Sequence, residues 1–203
     1  MRGFKKKWQW AVGFLLVCGL PVLAPAQPPT EPVPLAAREP EIRHLDRQQD
    51  HADLQRIWYF RKQLPEKFYR RNNFAWAWAE IAGLDKKEYF AHSGIQNFDG
   101  LSSRAAKKIK GISFAPEKGK AKFKTLFVDY LGNVGGKDAL PRVFDTEYKI
   151  IEDIAARLPD PAVAGTIRLY TNLQPCPSCV GVMRQFLAVY TNLQMVVFYE
   201  WPP

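Results

Sequence analysis

Hydrophobic residues recur at every second position in the stretch NNFAWAWAEIAGL, residues 72–84, and this alternation predicts a half-buried strand. Phe74, Trp76 and Trp78 form its apolar side. The stretch KEYFAHSGI, residues 87–95, follows the turn residues GLDK and has the length and the bounding signals of a hairpin partner. The two stretches therefore predict a pair of antiparallel strands.

The C-terminal part of the chain has longer and more regular patterns. Residues 145–158, DTEYKIIEDIAARL, repeat apolar residues at helical spacing, and residues 165–173, GTIRLYTNL, predict a strand. A second helix is expected to begin at Cys176 with Pro177 in its first turn. The apolar stretch at 193–201 predicts a strand that is covered on both faces. The order strand-strand-helix-strand-helix-strand implies an α/β sandwich, in which a helix connects the last two strands and makes them parallel.

The region before the first strand is helical in pattern over residues 44–64, HLDRQQDHADLQRIWYFRKQL. We therefore predict an N-terminal helical extension at 44–71, followed by one compact domain at 72–203. Within that domain, residues 104–124 contain eight basic residues and one acidic residue, and they predict a short helix followed by a loop.

The segment 1–26 has the composition of a signal peptide. A basic head is followed by the apolar run AVGFLLVCGLPVLA and by Ala24-Pro25-Ala26, which is typical of a cleavage site. The run contains Pro21 and is too short to span a bilayer comfortably, so we expect no stable membrane insertion of the mature chain. A lipoprotein signal that uses Cys18 is the alternative. The segment 27–43 is rich in proline and predicts an extended linker.

Cleavage would change the charge and the cysteine count. The net charge falls from +9 to +5, because the segment 1–26 contains four basic residues and no acidic one. Cys176 and Cys179 remain as a pair. A disulfide is the ordinary expectation for an even pair in a secreted protein, although so short a loop contributes only about 2 kcal/mol. A thioredoxin-like redox pair has the same strand–CxxC–helix setting, but that fold needs more elements after the motif than the single strand present here.

A metal site is the third interpretation of the two cysteines, and it needs ligands from elsewhere. The helix predicted at 145–158 begins with Asp145 and Glu147, and the segment 148–174 separates Glu147 from Pro175. That length suffices for one helix, a turn and one strand, so both helix beginnings lie at the same edge of the sheet. A ligand, any residue and a glutamate, followed after a strand by Pro-Cys-x-x-Cys, is the signature of zinc deaminases.

The stretches FDTEYKIIEDIAARL, GTIRLYTNLQPCPSCVGVMRQF and YFAHSGI resemble the bacterial toxin deaminases of the zinc-dependent cytidine/deoxycytidylate deaminase superfamily, which are C-terminal domains of secreted polymorphic toxins. The resemblance covers roughly residues 72–200. It implies a three-layer α/β/α sandwich of the cytidine-deaminase-like kind, around a mixed sheet of four to five strands. The first two strands would be antiparallel and the later ones parallel, and no clear fifth strand follows Trp201.

The resemblance also implies one zinc ion (Zn2+) with a catalytic water, bound by Asp145, Cys176 and Cys179. Glu147 would be the catalytic residue, which takes a proton from the water and returns it to the base. The first ligand in the family is usually His or Cys, and Asp145 departs from this pattern. A carboxylate oxygen can bind zinc, whereas the alternative is that Asp145 only caps its helix. The alternative for Glu147 is a surface ion pair.

Substrate contacts are expected on the second strand and beside the cysteines, at His92, Ser93 and Pro175. A structural role is the alternative for an isolated histidine such as His92. Four lysines of the basic stretch are expected to contact phosphates of a nucleic acid: Lys118, Lys120, Lys122 and Lys124. A solvated surface is the alternative for these lysines.

Together these expectations define a leading hypothesis and two alternatives. The leading hypothesis is a hydrolytic deaminase of a nucleobase, with cytosine in single-stranded nucleic acid as the favoured substrate. Such a chain would be a secreted or periplasmic antibacterial toxin that acts in the cytoplasm of a target cell and has a cognate immunity protein. The alternatives are a deaminase of free nucleosides or nucleotides, and an inactive, zinc-stabilised binding module of the same fold.

Overall fold

A computed structural model describes residues 39–158 and 160–202 of the chain. The predicted signal peptide at 1–26 and most of the predicted linker at 27–43 lie outside these residues. In chain order the elements are β1 (Glu41–His44), α1 (His51–Arg61), α2 (Glu66–Tyr69), β2 (Phe74–Ile81), β3 (Glu88–His92), α3 (Ser103–Lys108), β4 (Phe127–Val128), β5 (Leu140–Pro141), α4 (Thr146–Arg157), β6 (Gly165–Leu173), α5 (Pro177–Val189) and β7 (Leu193–Trp201).

Five of the strands form one mixed sheet in the order β1-β7-β6-β2-β3. The pair β2 and β3 is antiparallel, and β2 is also antiparallel to β6. The strands β6 and β7 are parallel and are connected through α5, as the sequence predicted. The short strands β4 and β5 form a separate antiparallel hairpin. The predicted mixed α/β fold with an antiparallel first pair and later parallel strands is therefore confirmed.

Helices cover both faces of the five-stranded sheet. The helices α4 and α5 pack on the face where Ala75, Ala77 and Ala79 of β2 point, because small side chains let a helix approach the sheet closely. On the other face, Phe74 and Trp76 pack with the α1 residue Ile57. The sequence predicted a half-buried strand here. Most residues of β2 are instead buried on both faces, because α1 covers the aromatic side.

The fifth strand comes from a part of the chain where a linker and a helix were expected. Residues Glu41–His44 form β1, which pairs in parallel with β7, and the backbone N–H of Leu45 donates to the carbonyl of Tyr199 at 2.8 Å. The predicted helix over 44–64 is therefore wrong at its beginning, since α1 begins only at His51. A four-residue strand at a sheet edge is too short to show a pattern of its own, and its pairing with β7 decides its conformation.

Two arginines attach β1 to the rest of the sheet through Asp50, which is buried just before α1. Arg43 of β1 donates to both carboxylate oxygens of Asp50, at 2.8 and 2.6 Å. Arg168 of β6 donates to the same carboxylate at 2.9 Å. Among the described residues, no helix has both the length and the apolar character that are needed to cross a membrane.

Candidate active site

Two helices begin side by side at the carboxyl end of β6, and their first residues carry the predicted ligands. Asp145 is the N-cap residue of α4 and Cys176 is the N-cap residue of α5. The Asp145 side chain makes no capping hydrogen bond to its own helix. It points towards the two cysteines instead, so the interpretation of Asp145 as a helix cap alone does not match the structure.

The three predicted ligand side chains converge on one point. The Sγ atoms of Cys176 and Cys179 lie 3.4 and 3.3 Å from Oδ2 of Asp145, and 3.6 Å from each other. Zinc held tetrahedrally by two sulfurs at about 2.3 Å and one oxygen at about 2.1 Å would separate its ligands by about 3.6–3.8 Å. The distances therefore fit a metal ion of this kind, and Asp145, Cys176 and Cys179 form a possible metal-binding group.

The same distances exclude a disulfide in this structure. A disulfide requires the two sulfur atoms to be about 2.05 Å apart, and both cysteines are free thiols here. Cys179 is buried and Cys176 is partly exposed. The hydrogen bond between the two cysteines lowers the pKa of the Cys176 thiol, and together with burial it raises the pKa of the Cys179 thiol.

Glu147 lies beside this triad and is almost completely buried. Its Oε2 atom is 3.7 Å from the Sγ atom of Cys179. Burial raises the pKa of the Glu147 carboxyl above its usual value, and the charge of Asp145 raises it further. Both carboxylate oxygens accept hydrogen bonds from hydroxyl groups, Oε2 from Thr146 at 2.8 Å and Oε1 from Thr171 at 2.9 Å. The surface ion pair considered for Glu147 is not what the structure shows.

Asn73 orients both of these hydroxyl groups. Its side-chain nitrogen donates to the hydroxyl oxygen of Thr146 at 2.8 Å and to that of Thr171 at 2.9 Å. Its side-chain oxygen accepts from the backbone N–H of Leu173 at 3.3 Å, which fixes the orientation of the amide. Because each hydroxyl accepts from Asn73, its own proton is free to point at Glu147.

Sequence reasoning missed Asn73. A signal was present in the predicted topology, since antiparallel pairing of the first strand with β6 would bring residues before Phe74 next to the end of β6. That end lies directly before the Pro-Cys-x-x-Cys motif.

A single cleft of about 330 Å³ is lined by the triad and by Glu147. The similarity of the chain to a known protein family indicates what such a cleft does. Residues 58–201 match the model of the toxin-deaminase family, described as the BURPS668_1122 family of deaminases. The chain belongs to this toxin-deaminase family. No curated protein and no solved structure matches the chain. The predicted family is confirmed, and with it a deaminase of toxin type.

The predicted substrate-binding residues of this toxin-family deaminase do not all lie at the cleft. Ser93 lines the cleft, and its hydroxyl accepts from the backbone N–H of Asn73 at 2.9 Å. Pro175 is buried and does not line the cleft.

His92 does not line the cleft either, and it is completely buried. Its Nε2 atom lies 3.0 Å from the carbonyl of Phe68 and 2.9 Å from that of Arg71. Its Nδ1 atom accepts from the backbone N–H of Gly94. This pattern defines the neutral tautomer with a proton on Nε2, and burial lowers the pKa of His92 in agreement with it. His92 therefore holds the chain between α2 and β2 in place from a buried position outside the cleft.

The loop that carries the four predicted lysines runs beside α4 and α5. Lys122 lies near the end of α4, whereas the backbone N–H of Leu126, two residues after Lys124, donates to Ser178 in the first turn of α5 at 2.8 Å. The backbone N–H of Lys122 donates to Glu152, and its Nζ donates to the carbonyl of Ala155 near the end of α4. Ala155 is eight residues after Glu147, or about 12 Å along the helix. The backbone of Lys124 is bonded to Gln185 in the second half of α5. Lys118 and Lys120 are exposed, and Lys120 pairs with Glu117.

The loop of the β4–β5 hairpin and the residue after β5 also line the cleft, with Asp129, Tyr130, Gly132 and Arg142. The Asp129 carboxylate accepts from the backbone N–H groups of Leu131 and Asn133 and so shapes the loop. Arg142 donates to the carbonyl of Asp129 at 2.8 Å and lies 3.9 Å from Oδ1 of Asp145.

Proposed function

We propose that this chain is a zinc-dependent hydrolytic deaminase of a nucleobase, with cytosine in single-stranded nucleic acid as its substrate. One observation carries the proposal. In a member of a deaminase family, the triad of Asp145, Cys176 and Cys179 faces the same cleft as the buried carboxyl of Glu147.

The residues of the triad fit zinc by chemistry as well as by distance. Two thiolates and one carboxylate oxygen are ligands that zinc accepts, and three protein ligands leave a fourth position for water. Bound zinc lowers the pKa of that water towards neutrality. Asp145 takes the position that His or Cys has in the resembling motif, and its carboxylate has the charge of a cysteine thiolate with an oxygen atom as the ligand.

Glu147 is placed to move protons in this reaction. Hydrolytic deamination replaces the exocyclic amino group of the base with oxygen from water and releases ammonia, so protons must pass from the water to the base and to the leaving nitrogen. The Oε2 atom of Glu147 faces the triad, while its Oε1 atom stays bonded to Thr171. The hydroxyls of Thr146 and Thr171 hold the carboxyl plane fixed between proton uptake and proton release.

The cleft also suits a single base as its occupant. Its lining provides side-chain amides from Asn72 and Gln174 and the hydroxyl of Ser93, which can pair with the polar edge of a base. A base that is stacked in a duplex cannot reach such a cleft, whereas an unpaired one can. Export through the predicted signal peptide, toxicity in a target cell and neutralisation by an immunity protein belong to the same proposal, and family membership supports the toxin part.

The test is the variant Glu147→Gln, which keeps the size of the side chain but cannot carry a proton. We expect zinc content and thermal stability close to those of the parent chain, and a deamination rate lower by at least ~10²-fold. Both chains are incubated with single-stranded DNA, RNA and free cytidine, and the bases are then analysed by mass spectrometry. If the variant deaminates at the rate of the parent chain, Glu147 is not the residue that moves the proton. Bound zinc in the parent without ammonia release from any base would identify an inactive binding module.

A further inference from the structure

A basic and aromatic segment leads directly into the cleft. From Arg56 to Arg71, both included, the sequence contains six basic residues and one acidic residue, Glu66. We call seven side chains of this segment the basic-aromatic strip: Trp58, Arg61, Lys62, Lys67, Tyr69, Arg70 and Arg71. Four of them, Lys62, Lys67, Arg70 and Arg71, are exposed basic residues.

The positive charges of the strip are not neutralised by the protein. Within residues 39–158 and 160–202, none of its five basic side chains forms a salt bridge with an acidic group. Arg56, just before the strip, pairs with Glu88 and is excluded for that reason. In the 118–124 loop, by contrast, Lys120 pairs with Glu117, and Lys122 is bonded to the end of α4. Among the described residues, the strip therefore has five basic side chains without an acidic partner, against three in the 118–124 loop.

Aromatic rings lie among these charges. The guanidinium of Arg61 lies over the rings of Trp58 and Tyr69, at 5.9 and 5.8 Å from their centroids. Trp58 is 47% exposed although a tryptophan in a monomer is usually well buried. Exposed rings among unpaired cations are the arrangement that single-stranded nucleic acids bind, because bases stack on rings and phosphates pair with cations.

The strip is continuous with the cleft and is held there by His92. Arg71 is followed immediately by Asn72 and Asn73, which line the cleft. The Nε2 atom of His92 lies within 3.0 Å of the carbonyls of Phe68 and Arg71 and fixes the backbone of the strip on both sides of Arg70. A groove of about 700 Å³ runs along this part of the surface, lined by Glu66, Lys67, Tyr69, Arg70 and Arg71.

We infer that the basic-aromatic strip binds the single-stranded polynucleotide next to the target base and guides it into the cleft. The inference deepens the proposed function, since it rests on the cleft being the place where a base reacts. It assigns phosphate binding to Lys67, Arg70 and Arg71, which lie close to Asn72, in preference to the lysines of the 118–124 loop. It assigns stacking of a flanking base to Trp58.

The charge test compares two matched triple variants of the full chain, both made in the Glu147→Gln background to prevent turnover. One is Lys67→Gln/Arg70→Gln/Arg71→Gln, and the control is Lys118→Gln/Lys120→Gln/Lys124→Gln. All six side chains are exposed and each variant removes three charges. Binding of a labelled single-stranded oligonucleotide is measured by fluorescence anisotropy between 0.1 and 1 M salt, and thermal unfolding checks the fold.

Each phosphate contact to a single strand contributes about 0.7 to the slope of log K against log salt. We therefore expect the strip variant to lose about 2 units of slope and about 10²-fold in affinity at 0.1 M salt, with little difference at 1 M. The control should stay within about 3-fold of its parent. Equal losses in both variants, or a larger loss in the control, would overturn the inference.

The stacking test uses Trp58. Removal of a stacked ring weakens binding of a base, so Trp58→Ala should lose about 10-fold in affinity at every salt concentration, and Trp58→Phe should regain most of it. If Trp58→Ala binds the oligonucleotide as tightly as the parent chain, Trp58 is not part of the nucleic-acid-binding surface.

Failure of this inference and failure of the proposed function give different results. If oligonucleotide binding depends on the strip but the chain deaminates no base, the proposed function is overturned and the assignment of the strip as a nucleic-acid-binding surface stands. The rate of oligonucleotide deamination is also compared between the strip variant and the parent chain, both with Glu147 restored. Equal rates would overturn the assignment of the strip and leave the proposed function intact.

Discussion

At the scale of single residues, the site depends on a side chain that takes no direct part in ligand binding. Asn73 has two amide hydrogens, and each one is given to a different threonine hydroxyl. The two hydroxyls then give their protons to the two oxygens of Glu147. A buried carboxylate without such donors would be strongly disfavoured in its charged form. The four side chains therefore act as one unit that keeps Glu147 oriented.

Thr171 allows a test of this unit without touching a predicted metal ligand. Thr171→Val keeps the shape of the side chain but removes the donor to Oε1 of Glu147 and the acceptor for Asn73. A hydrogen bond to a charged group contributes about 1.5–3 kcal/mol, so we expect kcat to fall by ~10-fold or more with KM nearly unchanged. Thr171→Ser keeps the hydroxyl and should recover most of the rate in steady-state kinetics. A serine variant as slow as the valine variant would show that packing matters at this position and the hydroxyl does not.

Asp145 sets a second expectation at this scale, because in the proposed zinc site it would supply an oxygen ligand where a nitrogen or sulfur ligand is usual. Asp145→Ala removes one of three protein ligands and should weaken zinc binding, as measured by competition with a chromogenic chelator. Asp145→His restores a ligand of the kind that zinc prefers and should bind at least as tightly as the parent chain. An alanine variant with unchanged zinc affinity would mean that Asp145 is not a ligand.

At the scale of elements, the parts with the strongest patterns were predicted best. The strands at 165–173 and 193–201 have the predicted bounds, because long apolar strands in the middle of a sheet carry their own signal. The helix predicted at 145–158 begins one residue later, after Asp145 as its N-cap. Asp145, Glu147, Cys176 and Cys179 could be brought together from the sequence, since two helix beginnings at one sheet edge suffice.

Other features could not be predicted, because they depend on contacts between distant parts of the chain. The strand β1 exists only through its pairing with β7, and nothing in EIRH indicates that partner. His92 was expected to bind substrate on account of its residue type, but its surroundings decide its role. The position of the 118–124 lysines along α4 and α5 follows from packing of Phe123 against Phe186, which the charge pattern does not show.

The attachment of β1 to the sheet can be tested through Asp50, whose side chain is fully buried between Arg43 and Arg168. Asp50→Asn removes the charged partner of Arg43 and one of the two carboxylates of Arg168, which keeps its pairing with Asp53. Removal of one partner from a buried ion pair costs about 3 kcal/mol. The matched control is Glu41→Gln, whose exposed carboxylate lies 4.0 Å from the same Arg43 and should change stability by less than about 0.5 kcal/mol. Chemical unfolding measures both variants, and equal effects would contradict a special role for Asp50.

The carboxylate of Asp50 also makes the stability of the protein depend on pH in the acid range. Burial alone would raise the pKa of Asp50, but the hydrogen bonds and charges of Arg43, the backbone of Asp46 and Arg168 outweigh it, and the pKa is lowered below the usual 3.8. The stabilisation is therefore present at neutral pH and is lost as the pH falls below about 4. Asp50→Asn should show a smaller loss of stability than the parent chain over that range.

At the scale of the whole molecule, the charges and the catalytic groups are arranged around one edge of the sheet. The cleft opens where α4 and α5 begin, and it is lined by residues that follow the basic-aromatic strip and by residues of the β4–β5 hairpin loop. The match to the toxin-deaminase family begins at Trp58, so it includes the strip, the hairpin and the site. The strand β1 lies before the matched region and still completes the sheet.

The parallel pairing of β1 with β7 determines how the molecule bears tension. The amino end of β1 is at Glu41, and the carboxyl end of β7 is at Trp201. A force that pulls these two ends apart acts along both strands in opposite directions, so the backbone hydrogen bonds between them are loaded in shear and must break together. A force applied at Glu41 and at Leu193, the other end of β7, would open the same bonds one after another. The two strands thus form a mechanical clamp against a force between Glu41 and Trp201.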